Sequence, residues 1–225
     1  MPAHCERAKV RQDKEREAAD GFDGSWVAHP GLVPTCIEAF TAVLGDRPNQ
    51  LDKQRPDVHV TAADLLSVGN AGGSVTLAGL NTNISVALQY LTAWVNGQGA
   101  VTIDNLMEDA ATVEISRTQI WQWLHHKTRL AEGLVVTPEL VNELVKHEVD
   151  RLTALATDDR GRRHVREAQD VFTEAALGEA LPGFFTPYAY VRYLIDKPLQ
   201  LTGPITPEDL RMSERVPRED ARQSV

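Results

Sequence analysis

Apolar positions recur with a helical period over much of this 225-residue chain. The clearest stripe is Leu77, Leu80, Ile84, Leu88, Leu91 and Val95, at offsets 0, 3, 7, 11, 14 and 18, which predicts a helix over 76–96 with Gly97 as its stop. The pattern before it is weaker. Residues 6–20 are charged and helix-favouring but poorly periodic, and Gly21 and Gly24 end them. Ser25 to Ala28 predicts a short strand, His29-Pro30-Gly31 a turn, and 32–44 an apolar helix. Residues 50–73 are polar and read as a linker, with one short helix at 62–67 behind a Thr61 cap.

Beyond Gly97 and Gly99, Val101 to Asn105 reads as a connection leading into a helix whose stripe is Ala110, Val113, Ile120, Trp121 and Leu124. Thr137-Pro138 supplies an N-cap and first-turn pair for the next helix, with Val141, Leu144, Val145, Leu152 and Leu155 on its buried face. A helix over 164–181 groups Val165, Ala168, Phe172, Ala175 and Ala176; Pro182-Gly183 breaks it, and Pro187 opens a last aromatic helix through Tyr188, Tyr190, Tyr193 and Leu194. From Lys197 onward four prolines, many charges and little periodicity predict a mobile tail. The expected fold class is mostly α, with Leu77, Leu80, Ile84, Leu88, Leu91, Ile120, Val141, Leu144 and Phe172 in one core.

Composition narrows the function classes. A hydrophobic content of 42% with 24% charged residues is that of a soluble domain, long enough for one substantial core or two small ones. The formal net charge of −9 disfavours unspecific nucleic-acid binding, which needs basic surface to neutralise phosphates. The one basic cluster, Arg160-Gly161-Arg162-Arg163, sits among Asp158, Asp159 and Glu167 and reads as a solvated helix end. Cys5 and Cys36 are too few for a disulfide framework and fit a reducing cytoplasm, and no apolar run reaches the roughly 18 residues that would suggest a membrane span.

Candidate chemistry centres on Glu108-Asp109, a carboxylate pair at the predicted helix start. Unpaired backbone amides there favour negative charge, so a carboxylate can wait ionised to take a proton. Acidic residues at that position also serve commonly as plain caps. Glu108 fits the capping role before a catalytic one. The histidines give no metal constellation: His125 and His126 are adjacent, so a helix turns them about 100° apart. His147-Glu148 lies in a stretch that otherwise faces solvent and reads as surface.

The string from Leu106 to Arg117, with Met107-Glu108-Asp109-Ala110-Ala111-Thr112 at its start, resembles the catalytic signature of malate synthases. Segments Asp13–Glu17, Asp20–Leu32, Gly45–Gln50, Thr61–Leu66 and Asn83–Leu91 with Trp94 resemble the same family, closest to its A-type isoform, so the likeness runs from about Asp13 to about Asp196. Met1 to Arg7 does not share it. The resemblance implies a helical C-terminal domain (76–196) behind the last strand and helix of a (β/α)8 barrel (1–48), with a linker at 49–75 and a tail at 197–225. A full barrel takes about 250 residues by itself, so the expectation is a C-terminal portion of a longer enzyme.

The implied reaction condenses acetyl-CoA with glyoxylate and hydrolyses the product to malate and CoA, in the glyoxylate cycle. By resemblance Asp109 is the base that removes a methyl proton from acetyl-CoA, and Trp26, Pro30 and Met107 contact substrate. A buried Trp and a turn Pro would account for the first two equally well. Mg²⁺ and an arginine complete the family's site, but the resemblance places their residues on barrel strands outside this chain, leaving no metal ligand here. The alternative is a truncated helical module that binds partner chains without catalysis.

Overall fold

The computed structural model describes residues 3–195, with side chains from Ala8 onward, so the expected tail at 197–225 lies outside the described residues. The chain divides into two compact units, residues 1–73 with 104–107, and residues 74–103 with the chain from Glu108 onward. The architecture is mostly helical.

In the first unit, α1 (Ala3–Asp20) packs against α2 (Val33–Leu44), which follows a 3-10 turn at Pro30–Leu32. Their small core is Ala18, Cys36 and Phe40, with Val27 and Leu44 against it. Gln50 is buried at the end of α1, where its side-chain amide donates to the carbonyls of Ala18 (3.0 Å) and Phe22 (2.8 Å) and its backbone N–H to Asp23 Oδ1 (2.6 Å). Three bonds at one residue fix the chain's exit from α1, because a buried amide left unpaired would cost about 1–3 kcal/mol. The short helix α3 (Ala62–Leu65) forms behind Thr61 through a capping box in which Thr61 and Asp64 bond each other's backbone.

The strand expected at Ser25 to Ala28 does not form, and the segment is irregular. A strand exists only through a neighbour's hydrogen bonds. Among the described residues the single sheet is the two-stranded β1 (Val101–Ile103) with β2 (Leu106–Glu108).

The second unit carries the main core. Helix α4 (Leu77–Trp94), capped by Thr76, whose hydroxyl accepts the Gly79 N–H (3.0 Å), buries Leu80, Ile84, Leu88 and Leu91 completely, and Val95 at its C-cap is almost as buried. It packs on α5 (Ala110–His125), α6 (Pro138–Leu155) and α7 (Asp159–Ala176). Ile120, Val141 and Phe172 join that core, with Leu77 and Leu144 partly buried against it, as the periodicity predicts. Gly97 follows α4 at φ +90°, a conformation that suits glycine.

Four details depart from the sequence pattern. Leu155, the last residue of α6, is 65% exposed. Helix α7 starts five residues before His164, capped by Asp158, and stops at Ala176. Glu148 is buried, its carboxylate taking Arg151 through Nε (2.8 Å) and Nη2 (2.6 Å) and the Ser85 hydroxyl (2.8 Å), although neighbouring His147 is exposed. Helix α8 (Thr186–Tyr193) buries Tyr188 but leaves Tyr190 exposed.

Candidate active site

Val101 to Glu108 is a β-hairpin and not a plain connection. Its two-residue loop, Asp104 (φ 48°) and Asn105 (φ 65°), holds both residues in the left-handed region that tight hairpins require. The Tyr90 hydroxyl donates to the Gly99 carbonyl (2.9 Å), tying the approach to this hairpin to α4.

Strand β2 runs straight into α5, so Met107, Glu108 and Asp109 are delivered in extended backbone at a helix tip. Asp109 is the N-cap itself (φ −134°, ψ −172°), and its Oδ1 accepts the Ala111 N–H at 2.8 Å. Its side chain is exposed, and Oδ2 accepts no hydrogen bond among the described residues. Glu108, expected to cap, instead accepts from the Thr112 hydroxyl. Burial, with the nearby charge of Asp109, pushes the Tyr90 phenol up. Met107 is 39% exposed on β2.

Behind this tip, Val113, Ser116, Arg117 and Ile120 are all buried, at offsets 0, 3, 4 and 7 along one face of α5. The middle of the stripe is polar, which an apolar-period reading does not see. Arg117 is 2% exposed. Its Nε meets Glu114 Oε2 at 2.5 Å, Nη1 donates to the carbonyls of Ala175 (3.3 Å) and Pro182 (3.1 Å), and Nη2 donates to that of Gly183 (2.9 Å). Glu114 Oε1 accepts the Phe185 N–H at 3.0 Å. At the far end of α5, Trp121 Nε1 donates to the Gly178 carbonyl (3.0 Å) and its ring stacks on His125 at 3.7 Å.

Trp26 and Pro30 belong to the first unit. Trp26 is 76% exposed in this chain; Pro30 opens the 3-10 turn, where His29 Nδ1 accepts the Gly31 N–H at 2.9 Å. Asp23, Ser25, Cys36, Phe40 and Arg47 line a cleft of about 330 Å³ in that unit. A groove of about 490 Å³ in the second unit lies among Leu124, His125, Asn142 and Leu177. Asp109 lines neither. Among the described residues no three His, Cys, Asp or Glu side chains converge to hold a metal ion, and no helix is long and apolar enough to cross a membrane.

Two family models match. Residues 74–193 fit the model "Malate synthase, C-terminal" and residues 4–68 fit "Malate synthase, TIM barrel domain". A malate synthase of Streptomyces clavuligerus is 50% identical over 185 residues, covering 82% of this chain and 34% of the relative. The glyoxysomal malate synthase of Cucurbita maxima is 42% identical over 199 residues, covering 86% of this chain and 35% of the relative. A bifunctional glyoxylate cycle protein of Caenorhabditis elegans is 44% identical over 185 residues, 82% of this chain and 19% of its own length. The chain thus spans about a third of the length of the malate synthases it matches. A family model covering residues 74–193, joined by relatives of this identity, makes the chain a member of the malate synthase family.

Proposed function

We propose that this chain supplies the general base of a Claisen condensation between acetyl-CoA and glyoxylate, yielding malate and CoA in the cytoplasm. The observation that carries the reading is Asp109 itself. It stands exposed at a helix tip with one carboxylate oxygen held by Ala111 and the other free of hydrogen bonds among the described residues. That oxygen can accept the methyl proton of acetyl-CoA; the Ala111 amide meanwhile keeps the carboxylate from rotating away. The methyl carbon then bonds to the aldehyde carbon of glyoxylate, whose C=O π electrons move onto oxygen and take up a proton to give the hydroxyl, and water cleaves the thioester to release malate and CoA.

Other residues have supporting parts. Met107 on β2 and the exposed Trp26 and Pro30 offer apolar surface to substrate in the complete enzyme. The likeness to the family assigns the Mg²⁺ ligands and the arginine that stabilises the enolate to barrel strands outside this chain, and among the described residues no three His, Cys, Asp or Glu side chains converge. Bound there, the metal would polarise the aldehyde as a Lewis acid. The segment 4–68, matched by the barrel model, represents the end of that barrel in this reading.

CoA release from acetyl-CoA, glyoxylate and Mg²⁺ tests the proposal. The 225-residue chain alone should release none, because losing even one oxyanion donor costs about 10²–10³ in rate. The same chain joined behind the upstream two-thirds of the Streptomyces clavuligerus relative should turn over. Turnover by the chain alone, or none by the joined protein, contradicts it.

A further inference from the structure

The buried face of α5 is expensive in a way that stability alone does not explain. Ser116 and Arg117 occupy the middle of a stripe that apolar side chains of similar volume would fill at less cost, since desolvating a guanidinium and a carboxylate often outweighs their attraction. Every Arg117 nitrogen is nonetheless matched. It faces Glu114 and the three carbonyls of Ala175, Pro182 and Gly183, while Glu114 spans to the Phe185 amide. Phe185 is fully buried and meets Trp94 edge-on at 5.4 Å. One ion pair therefore ties α5 to the end of α7, the connection to α8 and, through Phe185, to α4.

Apolar contacts such as those of Val113 and Ile120 resist separation of helices but are weakly directional, so they tolerate small slides and rotations. Charge-assisted hydrogen bonds to fixed carbonyls do not. Arg117 lies eight residues beyond Asp109, about 12 Å along the same rigid helix. A displacement of α5 at Arg117 is carried straight to its N-cap. A misplacement of about 1 Å at a reacting group can cost about a hundredfold in rate.

We propose that Glu114 and Arg117 are positioning residues, a register lock on α5 that holds the Asp109 carboxylate where the acetyl methyl must meet it. This rests on the reading of Asp109 as the base. Neither residue touches substrate in this account.

The test uses the joined protein described above, with Glu114→Gln, Arg117→Met and Arg117→Lys, each checked by circular dichroism for a retained fold at the assay temperature. Glu114→Gln keeps the side-chain volume and an acceptor for the Phe185 amide but loses the ion pair. The lock predicts that kcat falls about tenfold to a hundredfold in Glu114→Gln and Arg117→Met. It also predicts that KM for acetyl-CoA stays within about twofold of the parent's, and that Arg117→Lys recovers part of the loss. If Arg117→Met does not fold, Glu114→Gln decides. An active parent whose folded variants keep kcat, or lose it only through a matching rise in KM, overturns the lock and leaves Asp109 as the base. A parent without turnover removes both readings.

Discussion

Glu148 carries a charge inside the second unit, and its response to pH follows from its partners. Burial works to raise its carboxyl, but the hydrogen bonds from Arg151 and Ser85 outweigh burial and hold it below the ordinary glutamate value. A carboxylate whose folded pKa is depressed adds stability above its unfolded value, near 4.3, and that stability is lost as pH falls through the folded value. Urea unfolding of the chain between pH 6 and pH 3 should show a falling midpoint, and Glu148→Gln should flatten that fall below about pH 4.3. An equal fall in both proteins would rule out a linked Glu148. Leu88 gives the apolar counterpart: it is completely buried, so Leu88→Ala should cost about 2–5 kcal/mol in the same measurement. Leu88 was legible in the sequence because a stripe of leucines needs no partner to be recognised. Gln50, Glu148 and Arg117 were not, since a polar side chain is buried only where particular carbonyls or charges meet it, and beside any local ion pair each has a partner far along the chain: the Phe22 carbonyl for Gln50, the Ser85 hydroxyl for Glu148 and the Gly183 carbonyl for Arg117.

Elements followed the same division. The helices α4, α5 and α6 are written in local signals, the caps Thr76, Asp109 and Thr137 and the stripes behind them, and they form where those signals stand. The strand at Ser25 to Ala28 is missing because its local pattern cannot supply a pairing neighbour. The hairpin at Val101 to Glu108 carried a usable signal that apolar periodicity does not weigh: Asp104-Asn105 are residues that enter the left-handed region most readily after glycine. Asn105→Gly should therefore leave stability nearly unchanged, while Asn105→Val, β-branched at φ 65°, should lose at least about 1–2 kcal/mol. Thermal unfolding of the two variants checks this, and equal midpoints would show that the loop does not hold that conformation in solution.

At the scale of the whole molecule, family membership follows from sequence across most of the chain. The Asp109 signature was readable because its residues are contiguous. Trp26 and Pro30 lie in a different unit from Asp109, so no contiguous string joins them to it. What can be isolated is the role proposed for Asp109. Asn caps a helix about as well as Asp, so Asp109→Asn should preserve the Ala111 bond and α5 while removing the proton acceptor. In the joined protein, the account predicts that Asp109→Asn lowers kcat for CoA release by about 10²–10⁴ with KM for acetyl-CoA and the circular dichroism spectrum unchanged; turnover equal to the parent's would contradict it and reduce Asp109 to a helix cap.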